Sequence, residues 1–415
     1  MEKADLLVKN GLVVTLDEKN RVIENGFVAV SEGKIVDVGK ECNYSADKVI
    51  DAKGCVVMPG LVCAHTHLYG VLLRGSPWFA AIDPPTDFSQ NLQRIWWPMD
   101  EAMSYEDAYA SALMATLLLV KTGTTTFLDT FSGPNAISGV LDKIAEAVEK
   151  VGARAVVTFE ATERHSREEG LRGLSENERF VKERNSKDSL VKGAFCLHAS
   201  FTVSDELLAR ARELADKYDA LVTMHVSEGL VDVYHNLERY GERTVERLNR
   251  VGFLSPRTLL AHCVNVNEDE LKLIAKSGTK VAHNPMSNML NAVGVAPIPK
   301  MLEMGITVGL GNDGYVFDGF ENMRAMYLLH KVALRDPRTI SPLDAVKMAT
   351  VEAAKACRME REIGSLEKGK KADLIVLEMR PAPTPLNERT VFGHLVNSVF
   401  GADVKTVVVN GNVVV

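Results

Sequence analysis

Two histidines one residue apart, His65 and His67, follow an apolar run in the stretch "MPGLVCAHTHLYG" at residues 58–70. In a β-strand, residues i and i+2 project from the same side, so both imidazoles can reach one metal ion. Two unrelated imidazoles, in a core or on a surface, are the alternative. Two histidines cannot complete a metal site, so further ligands must come from elsewhere in the chain.

The middle of the chain alternates short β-like runs with helical stretches such as 204–218 and 267–278. The second helical stretch begins with Asn267, carries Glu270 three positions later and stops at Gly278, which are start and stop signals. The predicted strands are 61–67, 124–129, 154–160, 193–199, 221–226, 258–263, 280–284 and 307–313. Eight strands over about 250 residues predict an α/β fold, a (β/α)8 TIM barrel.

The carboxyl ends of all barrel strands open on one face, where active sites are built. Residues of ligand type lie near those ends: His65, His67, His198, His225, His262, His283 and Asp313. A lone histidine is more often a satisfied core or surface residue, which is how we interpret His165, His235, His330 and His394. For the strand-end set, burying so many imidazoles beside a carboxylate would be costly without a shared partner.

A metal ion removes that cost. Neutral imidazoles and one carboxylate suit zinc, with iron(II) as the alternative. Three histidines and one aspartate, with a position left for water, form a catalytic rather than a structural arrangement.

Glu228 follows one of these histidines by three residues, in "HVSEG" at 225–229. Its carboxylate is expected to leave the strand and stand beside the metal without binding it. A proton shuttle is needed there when an activated water attacks a ring carbon and a ring nitrogen must be protonated. A solvated loop acid is the alternative interpretation.

The two ends of the chain are β-rich and differ from the middle. Asn10-Gly11 and Asn410-Gly411 are both predicted to be hairpin turns. We therefore expect a small β-sandwich domain built from residues 1–58 and 359–415, which flank a metal-dependent barrel at 59–358.

Composition restricts the partners. The net charge is −7, the isoelectric point is about 5.9, and no Lys/Arg cluster forms a basic stripe, which disfavours nucleic acid and anionic membranes. Six scattered cysteines indicate reduced thiols. The first residues lack a signal-peptide core, and the apolar stretch 112–120 is too short to span a bilayer. These features predict a cytoplasmic protein with a small-molecule partner, and they leave a homo-oligomer open.

The motifs "PGLVCAHTH", "HVSE", "LLAHC", "VAHNPMSNM" and "VGLGNDG" resemble, in order, those of the amidohydrolase superfamily. "GSLEKGKKADLIVLE" resembles the strand that returns to its β-sandwich. Within the superfamily the chain resembles the branch of methylthioadenosine/S-adenosylhomocysteine deaminases, guanine deaminases and s-triazine chlorohydrolases. Residues 291–331 resemble SsnA-type aminohydrolases.

This resemblance implies a set of site residues. One divalent metal ion, zinc or iron(II), would be bound by His65, His67, His225 and Asp313. Glu228 and His262 would be acid–base partners of the hydrolytic water, with Asp313 accepting its proton. His198 resembles a substrate contact of the nucleoside deaminases.

The implied activity is hydrolytic deamination of an amino-substituted N-heterocycle. An adenine nucleoside derivative of the methylthioadenosine/S-adenosylhomocysteine type is the first expectation, followed by a guanine-type base or pterin, and then an s-triazine. Related deaminases bind an acidic substrate tail through an arginine after the third strand, where this chain has Phe159, so Arg164 and Arg172 are candidate replacements.

The loop at 76–100, predicted to be irregular, contains two further candidates. Asp100 is the candidate to hold a ribose diol. Trp96 and Trp97 are expected either to stack on a heterocycle or to anchor the loop.

Two rivals are weighed against deamination. Cyclic-amide hydrolysis requires a bridging lysine and a second metal, but the fourth strand has Lys192 at its beginning and no lysine at its end. This absence favours a single metal. A non-catalytic scaffold on the same fold usually lacks metal ligands, whereas the implied ligands are all present here.

Overall fold

The N-terminal segment forms most of a mixed sheet in the computed structural model, which describes residues 2–185, 188–379 and 384–415. Its strands are β1 (Glu2–Val14), β2 (Val22–Ser31), β3 (Lys34–Gly39), β4 (Tyr44–Asp51) and β5 (Cys55–Pro59). Strand β1 pairs antiparallel with β2 and parallel with β4 and β5.

The predicted hairpin turn at Asn10-Gly11 is wrong, because β1 runs straight through this pair. The register against β2 shifts on both sides of Gly11, and Asn10 has a φ of 64°. An Asn-Gly pair suits such a bulge as well as a turn, since both residues tolerate positive φ. Because β1 pairs with other strands on both of its edges, the Asn-Gly pair forms a bulge within the strand instead of a turn.

A barrel of parallel strands follows. Its strands are β6 (Leu61–Thr66), β7 (Thr124–Phe131), β8 (Arg154–Ala161), β9 (Val191–Gly193), β10 (Phe195–Ala199), β11 (Val222–Val226), β12 (Thr258–His262), β13 (Lys280–His283) and β14 (Val308–Leu310). Among the described strands, the short β9 pairs with β8 alone, and the other eight pair in chain order. The backbone amides of Asn312 and Asp313 donate to the carbonyl of His65, which brings the last strand beside the first. The predicted (β/α)8 barrel is confirmed.

The C-terminal segment completes the first sheet. Strands β15 (Leu374–Glu378), β16 (Val404–Val409) and β17 (Asn412–Val413) add to β5 in antiparallel pairs. Asn410-Gly411 forms the predicted turn between β16 and β17, with φ values of 49° and 78°. Both termini therefore build one sheet, as the sequence predicts.

Helices surround the barrel and lie between its strands. They are α1 (Phe88–Asn91), α2 (Trp97–Ala102), α3 (Tyr105–Lys121), α4 (Val140–Val151), α5 (Arg167–Arg184), α6 (Asp205–Lys217), α7 (Leu230–Tyr240), α8 (Thr244–Arg250), α9 (Glu268–Ser277), α10 (Pro285–Leu290), α11 (Ile298–Glu303), α12 (Gly319–Leu334), α13 (Pro342–Met348), α14 (Val351–Ala356) and α15 (Val391–Asn397). Asn267 caps α9 in a capping box with Glu270, and Gly278 ends it in the left-handed conformation, as predicted. Among the described helices, none has both the length and the apolar character that crossing a bilayer requires.

Residues 68–102, the cover segment, lie over the carboxyl face of the barrel. The segment is not the irregular loop predicted at 76–100. It consists of 3₁₀ turns at Leu68–Leu73 and Pro77–Ala80, then α1, a π turn at Leu92–Trp96, and α2. Side-chain caps from Ser76 and Asp87 begin two of these short helices, and no apolar period reveals them in the sequence.

Candidate active site

Four side chains from three strand ends converge at the carboxyl face of the barrel. His65 lies near the end of β6 and His67 directly follows that strand, His225 lies near the end of β11, and Asp313 lies shortly after β14. His65 Nε2 and His67 Nε2 lie 2.9 and 3.1 Å from Asp313 Oδ1, and 3.1 Å separates His67 Nε2 from His225 Nε2. One ligand atom from each residue lies within 4.8 Å of all the others.

The hydrogen bonds around two of these histidines orient their lone pairs. His67 Nδ1 lies 2.8 Å from the carbonyl oxygen of Thr130, and His225 Nδ1 lies 2.7 Å from that of His198. A carbonyl can only accept, so each Nδ1 carries a proton, and each Nε2 presents a lone pair when its ring is neutral. Two such lone pairs facing each other across 3.1 Å repel unless a proton or a metal ion lies between them. The donor set therefore fits a divalent metal ion.

The pKa values of the cluster residues also indicate a site for a cation. Burial lowers the pKa of His225 to about 3, aided by the nearby charge of His67. Burial also lowers the pKa of His67, but Asp313 and Glu160 outweigh it and raise this pKa to about 10. The carboxylates thus attract one positive charge into the cluster. A metal ion supplies that charge in place of a proton.

Glu228 and His262 flank this cluster. His262 Nε2 lies 3.4 Å from Glu228 Oε2 and 3.6 Å from Asp313 Oδ1. Burial raises the pKa of Glu228, and the charge of Asp313 raises it further. Burial lowers the pKa of His262, but the two carboxylates outweigh it and raise this pKa to about 9. A carboxyl with a raised pKa beside a basic imidazole is suited to proton transfer near neutral pH.

Neighbouring polar groups fix these two residues. Asn288 Oδ1 lies 2.8 Å from His262 Nδ1, and Asn291 Nδ2 donates to Glu228 Oε1 at 3.3 Å. Ser287 donates to Asp313 Oδ2 at 2.5 Å. All three partners lie in or directly after α10, in the stretch "PMSNMLN" that follows the seventh strand. This short helix therefore positions the proposed proton-transfer groups.

A cavity opens above the cluster and is lined by both substrate-contact candidates, His198 and Asp100. Burial lowers the pKa of His198 well below its ordinary value, so its ring is neutral. Asp100 is buried and accepts hydrogen bonds from three donors: Tyr69 at 3.1 Å, Ser132 at 3.0 Å and Arg164 at 2.8 Å. The carboxylate of Asp100 is thus largely occupied by protein donors.

Trp96 and Trp97 of the cover segment also line this cavity. Trp96 packs edge-on against Tyr69 and donates to the hydroxyl of Tyr315 at 3.0 Å, which ties the cover segment to the loop after β14. The guanidinium of Arg164 lies 5.1 Å from the ring centre of Trp97. Both rings therefore have protein partners that hold the cover segment.

Three residues named from the sequence lie elsewhere. His283 does not join the cluster, because its Nε2 lies 3.1 Å from Nε2 of His330 on α12. Phe159 packs outward against α5, where a side-chain carbon at Gly173 would lie 3.0 Å from its ring. Arg172 is exposed on α5. The alternation of strand β8 instead places Glu160 on the cavity side, a residue that the sequence analysis missed.

Comparison with known proteins agrees with this geometry. Residues 56–414 match the model of the amidohydrolase family. The chain belongs to that family. It is 39% identical to a 5'-deoxyadenosine deaminase of Methanosarcina barkeri, over 99% of this chain and 92% of the relative. It is 36% identical to a 5-methylthioadenosine/S-adenosylhomocysteine deaminase of Syntrophobacter fumaroxidans, over 99% and 93%.

Among solved structures, the amidohydrolase chain is similar to an adenosine deaminase from Xanthomonas campestris with bound zinc. The TM-score is 0.89 at 28% identity, and the match covers 99% of this chain and 93% of that one. The family, its zinc-containing structural relative and the His/Asp cluster together support a metal-dependent hydrolase.

Proposed function

We propose that this protein is a zinc-dependent hydrolytic deaminase whose substrate is an adenine nucleoside. The observation that carries the proposal is Glu228, a buried carboxyl that lies 3.4 Å from His262 at the edge of the four-ligand cluster. The names of the relatives in Methanosarcina and Syntrophobacter support the nucleoside.

The metal ligands in this proposal are His65, His67, His225 and Asp313. A bound divalent cation activates a water molecule for nucleophilic attack near neutral pH. Three imidazoles and a carboxylate are the donors that zinc prefers, and iron(II) is the second choice. The absence of a lysine from the end of β10 supports one ion, since Lys192 instead pairs with Glu362 at 2.9 Å.

Glu228 and His262 move the protons in this mechanism. The water oxygen bonds to the ring carbon that carries the amino group, and Glu228 delivers a proton to the adjacent ring nitrogen. Asp313 accepts one proton from the water, and His262 assists by holding the attacking oxygen. The carbon–nitrogen bond then breaks as this proton passes to the amino group, which leaves as ammonia, and the second water proton returns to Glu228. His198 lines the same cavity and contacts the substrate.

The test is ammonia release by the zinc-loaded protein from purine nucleosides, free purine bases, pterins and s-triazines. We expect turnover of adenosine, 5'-deoxyadenosine or S-adenosylhomocysteine above that of the other classes. Preferred turnover of a guanine-type base, a pterin or a triazine would replace the nucleoside while keeping the reaction. Hydrolysis of a cyclic amide, without ammonia release from any amine, would overturn the proposal.

A matched variant tests the chemistry. Glu228→Gln keeps the size of the side chain but cannot act as an acid, so it should retain its zinc and lose turnover by about a hundred-fold or more. A fully active Glu228→Gln would remove this residue from the mechanism.

A further inference from the structure

Glu160 is a buried acid that the proposed mechanism does not use. It lies near the end of β8, only 2% of it is exposed, and its side chain lines the cavity above the metal cluster. Its Oε1 has no hydrogen-bond partner among the residues that the structure describes. A carboxylate buried without a partner is strongly disfavoured, so such a group indicates a bound ligand or a functional role.

Neighbouring donors do not satisfy this oxygen. His67 Nδ1 is the closest candidate, at 3.5 Å, but it donates to the carbonyl of Thr130 at 2.8 Å. His225 Nε2 lies 3.8 Å away and presents a lone pair, because His225 Nδ1 carries the proton. Among the described residues no protein donor reaches Glu160 Oε1, and the side chain lines the cavity, in contrast to Asp100, which accepts from three protein donors.

His198 presents a second acceptor beside it. The hydroxyl of Thr202 donates to the carbonyl of Ala199 at 3.0 Å, so it can only accept from His198 Nδ1, 2.9 Å away. That places the proton on Nδ1 and a lone pair on Nε2. A ring nitrogen of His198 and a carboxylate oxygen of Glu160 lie within 4.8 Å of each other.

We propose that Glu160 is a substrate-contacting residue that, together with His198, accepts hydrogen bonds from N–H or O–H donors of the substrate. The inference rests on the proposed deaminase function and adds a specificity element to it. Two adjacent acceptors match a group with two donors, which in an adenine nucleoside is either the ribose diol or the exocyclic amino group. If the ribose diol is the group bound, Glu160 shares or takes the role that the sequence analysis expected of Asp100.

The experiment compares wild-type protein with Glu160→Gln and Glu160→Met, all loaded with zinc. Replacing a charged acceptor should lower kcat/KM for the preferred nucleoside by about ten-fold in Glu160→Gln and further in Glu160→Met. Glu176→Gln is the matched control, because Glu176 is an equally buried acid on α5 whose partners are Arg179 and the amide of Leu141. It should keep the wild-type kcat/KM.

Substrates that lack one donor identify the group recognised. 2'-Deoxyadenosine and 3'-deoxyadenosine each lack one ribose O–H, and N6-methyladenosine lacks one N–H. Deleting the donor that Glu160 binds should weaken turnover by the wild type but scarcely affect Glu160→Met. An unchanged kcat/KM in both Glu160 variants, or an equal loss on every substrate, would overturn the proposal.

Two further measurements separate the alternatives. Loss of zinc from Glu160→Gln would show that Glu160 acts through His67 and His225 rather than on substrate, and two ions per wild-type chain would make it a metal ligand.

If no nucleoside is turned over, the deaminase proposal fails. Binding of the same nucleosides to the wild type and to the Glu160 variants, followed by the intrinsic tryptophan fluorescence, then still decides whether Glu160 contacts them.

Discussion

The side-chain NH2 group of Asn291 donates a hydrogen bond to the carboxylate of Glu228 across 3.3 Å, and the side-chain carbonyl oxygen of Asn291 accepts hydrogen bonds from two other residues. Those donors are the hydroxyl of Tyr315, at 3.1 Å, and the amide of Asn91, at 2.8 Å. Since both donors fix the carbonyl end, the N–H end must face Glu228. Asn91 belongs to the cover segment, so the side-chain amide of Asn291 connects this segment to Glu228, the proposed acid.

Replacing Asn291 should therefore disturb Glu228 while leaving the metal in place. Asn291→Leu is expected to lower kcat by about ten- to a hundred-fold with a smaller change in KM, because a misplaced acid slows proton transfer. Tyr315→Phe removes one of the two donors to Asn291 and should cause a smaller loss. Steady-state kinetics, zinc content and melting temperature check this prediction. Wild-type kcat in Asn291→Leu would contradict it.

The metal cluster makes a separate prediction. A chelator should abolish turnover, and zinc should restore it with about one ion per chain. His225→Ala should lower zinc content and turnover together, since it removes one of four ligand atoms. His165→Ala is the control, because this exposed histidine pairs with Glu101 and Glu169 and is not among the ligands of the cluster. About two ions per chain would favour the cyclic-amide hydrolase instead.

Particular residues show which parts of this site the sequence predicts and which parts it does not. The His65/His67 spacing, "HVSE" and the last strand motif locate the metal cluster because each motif sits at a strand end, and barrel geometry brings strand ends together. His283 also sits at a strand end, yet it points toward His330 on α12. The sequence pattern predicts that a residue lies near the end of a strand, but the side chain there can point either into the cluster or toward the surrounding helices.

Glu160 and Phe159 are adjacent in one strand, so alternation lets only one of them face the cavity. In "RAVVTFEA" the side of Glu160 also carries Arg154 and Thr158, whereas the side of Phe159 carries only apolar residues, a polar signal that could have identified Glu160. The turn predicted at Asn10-Gly11 was wrong for a different reason. Its local turn preference is real, but long-range pairing of β1 with strands on both edges overrides it.

The sheet from both termini is attached to the barrel by a buried ion pair. Arg154 of β8 and Asp373, directly before β15, form two hydrogen bonds of 2.7 and 3.0 Å, and each side chain is 2% exposed. Removing one partner leaves a buried charge alone, so Arg154→Met or Asp373→Asn should lower the free energy of unfolding by about 3–5 kcal/mol. Urea unfolding measures this change.

An exposed ion pair and a double variant are the controls for this prediction. Lys3 and Asp47 form a solvent-exposed pair, and Lys3→Ala should cost about 1 kcal/mol or less. Combining Arg154→Met with Asp373→Leu removes both charges and should cost less than the sum of the single changes. If Arg154→Met costs no more than Lys3→Ala, the buried pair does not stabilise the junction.

Gly311 makes the close approach between the eighth and first strands possible. A side-chain carbon at this position would lie 2.2 Å from Oδ1 of Asn284 and 2.8 Å from the carbonyl oxygen of His65. Gly311→Ala must therefore displace one of these groups, and we expect zinc affinity and turnover to fall by about ten-fold or more. Gly393→Ala is the matched control, because this residue sits in α15 and, apart from its chain neighbours and the backbone of its own helix, no heavy atom lies within 4 Å of the added carbon. That change should leave turnover intact and raise the free energy of unfolding by about 0.4–1 kcal/mol. Full zinc occupancy and full turnover in Gly311→Ala would show that β6 and β14 can separate without moving His65.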